Sequence, residues 1–388
     1  MRVRKILNGV ITAFIVMAVT LGGCDKSDQM NAEIDKEWLE YAKLDADMTV
    51  DELYEAALKE DVLIIYTVST RVTKTKEFFE AAYPGLCVEV RDLRSPDLID
   101  AVIANNEAGK SECDIVICND CSGDFKSKLI DTGMVAPYIS ADIAEKMKPG
   151  HTGEYISFLD EAEMIYYNSA KYDEAPIKNI WELTDDTFKG KIYMPSPLRS
   201  FSTYAFVGTS TLYDDKFISS YEEYFGKKYD LDSSHTAAEN FWLKASENIV
   251  FTNSSDEVME ALNDGSADIG IMVSSKMRYI DVGYSFKPIY KLNPFTGCTT
   301  TCAVMIATGS KNVNSAKLFI RFLLGEADGT GDGYKPFCTQ GTWSARVDVP
   351  DGNNVPQSEI DLITTDQQYL IENKEKLRGF WADCLKNR

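Results

Sequence analysis

The chain has 388 residues, 44% of them hydrophobic and 26% charged, and its 40 Lys+Arg against 61 Asp+Glu give a formal net charge of −21. So acidic a total argues against nucleic acid as a partner, although a cleft lined by a few cations can still attract an anion. The length exceeds what one hydrophobic core usually holds and predicts two lobes.

The N-terminus carries Arg2, Arg4 and Lys5 ahead of an apolar run from Ile6 to Leu21. A basic start followed by an apolar stretch too short for a comfortable membrane span is the pattern of an export signal. The run ends in Leu21, Gly22, Gly23, Cys24, the spacing of a bacterial lipobox. Residues 1–23 are therefore expected to be a lipoprotein signal peptide, with Cys24 the lipidated first residue of a mature chain anchored to the outer face of the cell membrane. Loss of three cations from −21 would leave that chain at −24. Residues 24–50, polar with a short helical stretch around Trp38 to Lys43, read as a tether. No later apolar segment is long enough to span a bilayer.

Beyond the tether, Asp51 to Lys59 has the spacing of one helical face, and Val62 to Val68 is a β-branched and aromatic run suited to a buried parallel strand. A helix over 72–82, a strand over 86–90, a helix over 96–105 and a strand over 114–117 follow, which is the doubly wound pattern. The same grammar returns with a strand over 191–194, a helix beginning at Ser202, an amphipathic helix over 255–263 and a strand over 269–273. Met164 to Asn168, and the stretch from Lys287 toward Ala303 to Ala307, look like two crossings between lobes, which together make a hinge. The expected fold is thus α/β, with two doubly wound lobes joined by a two-crossing hinge. Lobe 1 takes 51–163 and 293–388, including helices over 315–324 and 367–384, and lobe 2 takes 164–292.

Eight cysteines remain after Cys24. Cys118 and Cys121 with Cys298 and Cys302 could supply four thiolates to zinc or form two bridges, but two short cysteine pairs without histidine make a weak zinc signature. Cys87 and Cys113, in apolar strand-like contexts, read as small hydrophobes. No metal and no cofactor is expected.

Several stretches resemble a known family. Tyr66 to Val72 with Phe78, Phe79, Tyr83, Pro84 and Gly85 resembles the first βα unit of type II periplasmic binding proteins of the ferric iron, polyamine and phosphonate importer group. Tyr167, Asn168, Pro176, Trp181, Leu183 and Phe188 to Lys191 are similar to the segment that enters the second lobe in that group, and Ala316 to Leu324 to the helix after the return strand. The resemblance implies a monomeric solute-binding lipoprotein that closes on its ligand and docks on the permease of an ABC importer. The group's ferric members hold iron with two adjacent tyrosines from the second lobe. Here the corresponding strand ends in Val273, Ser274, Ser275, Lys276, and the adjacent pair Tyr166 and Tyr167 belongs to the lobe crossing.

In open α/β sheets ligands bind beyond the carboxyl ends of the strands. Ser69, Thr70 and Arg71 follow the first strand at a helix start, where free amides and the helix dipole favour an anion. Arg94 and Ser95 follow the second strand and Asn119 ends the third, while Ser200, Ser202, Thr203, Ser274, Ser275 and Lys276 occupy the equivalent places in the second half. Each could equally be a helix cap or a surface charge. Tyr167, Phe201, Tyr279 and Trp343 are the candidate aromatic walls, with core packing the competing role.

Catalysis lacks its usual carriers. His151 and His235 are the only histidines and sit in loop-like sequence, and neither a nucleophile elbow, a Walker loop nor a His-Glu-x-x-His motif occurs. The residues favour capture of a small oxyanion-bearing metabolite such as a phosphonate, sugar phosphate or carboxylate. Family likeness alone supports ferric iron or an iron chelate, and no residue speaks for a lipid-anchored hydrolase.

Overall fold

The computed structural model describes residues 35–119, 122–230 and 234–386. Residues 1–23, Cys24 and Cys121, on which the signal, anchor and part of the thiolate reading depend, lie outside the described residues.

Among the described residues, twelve strands form one sheet: β1 Leu63–Thr67, β2 Val88–Asp92, β3 Ile115–Asn119, β4 Val135–Ala136, β5 Ile156–Asn168, β6 Ile192–Pro195, β7 Ile249–Thr252, β8 Ile269–Val273, β9 Phe286–Pro288, β10 Gly297–Ala307, β11 Trp343–Ser344 and β12 Leu362–Thr364. The central order is β2-β1-β3-β10-β5-β8-β6-β7. At one end β2, β1 and β3 are parallel, and at the other β8, β6 and β7 are parallel. Each trio is one lobe. Between them β5 and β10 pair antiparallel from Gly297 opposite Met164 to Val304 opposite Ile156, with one register shift between Cys302 and Ala303. These two strands are the predicted crossings, so both lobes share a single sheet.

The apolar runs explain the layers. β1 reads Leu-Ile-Ile-Tyr-Thr and is covered on one face by the helices Val50–Ala57, Val72–Ala82 and Val313–Leu324, where Phe79 meets Phe319 edge-on at 5.1 Å. The opposite face is covered by Ser95–Glu107 with Leu98, Ile99 and Val102. In the second lobe Trp181 fills the core between Tyr221 and Phe241, at 5.0 and 5.3 Å, and donates its indole N–H to the Phe217 carbonyl. The helices Asp214–Phe225 and Ala237–Ser246 that supply these partners were not anticipated.

Two expectations are corrected. Residues 35–50 do not behave as a tether: the helix Lys36–Ala42 docks on lobe 1, with Trp38 buried, its indole donating to the Ser310 carbonyl at 2.9 Å, and Lys317 donating to the Ala42 and Lys43 carbonyls. The C-terminal helix is broken at Asn373 into Gln367–Glu372 and Lys374–Lys386, and it packs on lobe 2 rather than lobe 1. Trp381 meets Trp242 at 5.7 Å, and Lys376 pairs with Glu239 at 2.9 Å. No helix among the described residues is long and apolar enough to cross a membrane.

Candidate ligand-binding cleft

Strand ends from both lobes open onto one cavity of about 540 Å³. Lobe 1 contributes Ser69, Thr70 and Arg71 beyond β1, Ser95 beyond β2 and Asn119 at the end of β3. Lobe 2 contributes Phe201 and Ser202 beyond β6, then Ser275, Lys276, Arg278 and Tyr279 beyond β8. Phe158, Leu159 and Glu161 of β5 and Cys302 of β10 also line it, together with Phe337. The helices Val72–Ala82 and Ser95–Glu107 both begin without a side-chain cap, so the hydroxyls of Ser69, Thr70 and Ser95 are not used on their amides.

The cations in this cavity are held in place. Arg71 donates to Glu161 at 2.6 Å and to the Thr342 hydroxyl at 3.0 Å, with its guanidinium 4.6 Å from the centre of the Phe337 ring. Lys276 donates to Asp256 at 2.6 Å, and Arg278 lies 4.7 Å over the Tyr279 ring while donating to the Ser275 carbonyl. Three cations face two carboxylates among the lining residues, so the cavity is positive within a chain of net charge −21. Fixing a guanidinium with a carboxylate and an aromatic ring removes rotamer freedom before any ligand arrives, which lowers the ordering cost of binding.

Six of the predicted positions lie outside this lining. Arg94 is exposed and pairs with Asp97 at 2.8 Å. Tyr167 points into the lobe 2 core, since alternation along β5 puts its ring among Ile165, Trp181 and Ile269. Ser200 caps the helix Phe201–Ser210, accepting from the Thr203 amide, and Thr203 is fully buried with its hydroxyl donating to Glu163 at 2.6 Å. Ser274 is buried, accepting from the Ala162 amide and donating to the Gly341 carbonyl. Trp343 packs beside Ala162 and Met164 in the core, not in the cleft. Of the paired cysteines, Cys298 is buried with its thiol 3.2 Å from the Thr365 hydroxyl, and Cys118 and Cys302 sit on neighbouring strands. Among the described residues no group of three or more His, Cys, Asp or Glu stands close enough to hold a metal.

Residues 74–361 match the model of a family described as bacterial extracellular solute-binding proteins. The chain belongs to that family. No curated protein matches this solute-binding protein in sequence, but its fold recurs in solved structures. Iron-bound HitA from Pseudomonas aeruginosa is similar with a TM-score of 0.62 at 15% identity, covering 84% of this chain and 99% of that one. The periplasmic binding protein AfuA from Actinobacillus pleuropneumoniae, with exogenous fructose-6-phosphate bound, gives 0.61 at 16% identity over the same shares. AgtB from A. tumefaciens in complex with agropinic acid gives 0.58 at 14%, covering 84% and 98%. The architecture is therefore that of the periplasmic binding proteins among these structures, in a chain of the extracellular solute-binding family.

The solute-binding protein places several residues in its cleft that strand-end reasoning did not reach: Glu161, Asp256, Phe158, Leu159, Cys302 and Phe337. A signal existed for the first of these. β5 is buried along all thirteen residues yet contains Asp160, Glu161 and Glu163, and carboxylates inside a buried strand call for partners. Burial pushes the Glu163 carboxyl up to about 7, against the opposing pull of the Thr203 and Ser202 hydroxyls. A raised carboxyl pKa favours the folded state fully below the ordinary carboxyl range, and that contribution is lost as pH rises through about 7. A displacement of this size corresponds to roughly 3 kcal/mol. Glu163→Gln is thus expected to flatten a decline in stability between about pH 5 and about pH 8, read from urea midpoints; a wild-type midpoint that rises over that interval would contradict it.

Gly341 shows how tightly the Phe337 to Trp343 segment is set. Its φ is +83°, and an added Cβ would stand 1.8 Å from the Ser274 carbonyl oxygen. Gly341→Ala should cost about 1–3 kcal/mol and disturb Thr342, the hydroxyl partner of Arg71. Unchanged melting temperature and solute affinity in that variant would show that the segment yields.

Proposed function

We propose that this protein captures a small oxyanion-bearing solute, such as a phosphonate, sugar phosphate or carboxylate, and delivers it to the permease of an ABC importer. The observation that carries this reading is the convergence of Arg71 from one lobe with Lys276 and Arg278 from the other on a single cavity. A clamshell gains closure energy only from a ligand that touches both lobes, and an anion between these cations would do so. Glu161 and Asp256 share the cavity, so the favoured solute also bears hydroxyl or amine groups that a carboxylate can accept from. On this reading Ser69, Thr70, Ser95, Asn119, Ser202, Ser275 and Tyr279 supply the remaining polar contacts. The protein works by binding without turnover, as a monomer held to the outer face of the membrane through lipid on Cys24.

Iron capture is the weaker reading, because among the described residues Tyr279 is the one tyrosine in the lining, while Tyr166 and Tyr167 are buried in the core. Mass spectrometry of the solute released on denaturing the purified protein tests the assignment. A phosphorylated or carboxylated metabolite supports it. Purified protein that takes up ferric ion with a tyrosinate charge-transfer band would replace it with iron transport.

A further inference from the structure

The hinge strands have a second face. Along β5, Glu161 looks into the cleft, whereas Asp160 lines another cavity, also of about 540 Å³; on β10, Cys302 and Thr301 divide in the same way. Successive residues of a strand point to opposite faces, so this second cavity lies behind the hinge. Its walls come from both lobes. His151 and Tyr155 belong to the loop before β5, and Tyr155 packs on a lobe 1 core; the segment 357–367 is rooted in the lobe 2 cores through Ile360 and Ile363.

The chemistry of this lining differs from that of the cleft. Its charged groups, His151 and Asp160, pair with each other at 2.9 Å. Most of the other lining side chains are hydroxyls and amides, such as Thr301, Thr364 and Gln357, with Ile360 and Leu362 as an apolar strip. Asp160 is 5% exposed, and its second carboxylate oxygen has no hydrogen-bond partner among the described residues. Groups that both donate and accept, an apolar strip for C–H bonds and an unused carboxylate acceptor together suit a ring bearing several hydroxyls. A strongly anionic solute would instead meet Asp160.

We infer that the cavity behind the hinge is a second binding site, for a neutral polyhydroxylated molecule of monosaccharide or cyclitol size. Because the two cavities lie on opposite faces of the same strand pair, bending that narrows one widens the other. An occupant that touches both walls behind the hinge therefore holds the lobes at their present angle and opposes closure over the solute. By linkage the solute weakens the occupant to the same degree.

The test is a melting-temperature titration of the purified protein with D-glucose, D-galactose and myo-inositol. At least one is expected to give a saturable rise in the wild type and in the Arg71→Ala/Lys276→Ala double variant. Its affinity should fall by roughly tenfold or more in both Asp160→Ala and Thr301→Val, each of which removes one polar contact. Thr301→Val preserves shape should Asp160→Ala prove unstable. The inference is overturned if none of the three compounds shifts the melting temperature, if the rise survives in both rear variants, or if it is lost in the cleft variant. This inference does not rest on the oxyanion reading: loss of solute binding alone in the cleft variant bears on that reading and leaves this one standing.

Discussion

Arg71→Ala combined with Lys276→Ala is expected to weaken solute binding by about 100-fold to 10,000-fold. Hydrogen bonds to charged groups contribute about 1.5–3 kcal/mol each, and every 1.4 kcal/mol is tenfold in affinity. The changes also strip Glu161 and Asp256 of their cationic partners, so an incoming anion would meet two carboxylates with only Arg278 to offset them. Calorimetric titration with the co-purifying solute measures the loss. A ligand-induced rise in melting temperature equal to that of the wild type would sink the assignment of these two cations to the site.

Trp381→Ala should be the most destabilising of the core changes considered, by about 3–5 kcal/mol. The ring is 1% exposed and meets Trp242, Phe251 and Phe380 at 5.7, 6.1 and 5.6 Å, so truncation leaves a cavity that three rigid aromatic neighbours cannot close. Urea unfolding followed by near-ultraviolet dichroism reads the change, and the Trp242 environment should be altered with it. A loss below about 1 kcal/mol, the range of a surface substitution, would mean that the C-terminal helices are an appendage and not part of the lobe 2 core.

That placement also marks where sequence reasoning stopped. The strand Ile269–Val273 and the helix Val72–Ala82 were legible to the residue, because a short run without polar residues and an apolar period near four are local properties. The partner of Trp381 is not local. Apolar spacing showed that residues 367–384 were helical, while the choice of lobe depended on aromatic faces of helices that had themselves gone unread. Trp38 was misassigned for the same reason: a polar neighbourhood hid one indole whose N–H finds the Ser310 carbonyl far along the chain.

In the cleft the rule of strand carboxyl ends brought eight of its twelve predicted residues to one cavity, from Ser69 to Lys276. Three of those it misplaced share a cause. Ser274 directly follows β8, and Ser200 and Thr203 open the helix after β6, but hydroxyls next to free amides and buried carboxylates are taken up by them, and only side-chain direction separates a cap from a contact. The rule could not find Glu161 or Phe158 at all, because they lie midway along a crossing strand.

The register shift at Cys302 has one more consequence. A bulge is where a strand pair bends most readily, and here it falls beside a residue that also lines the cavity between the lobes. On the proposed reading the fulcrum of the clamshell lies directly under its cargo, so the bulk of whatever rests against that thiol acts on the lever at its pivot. Solutes of different girth would then set different jaw angles, and a permease that recognises one angle would reject cargo that binds well but props the jaws too wide.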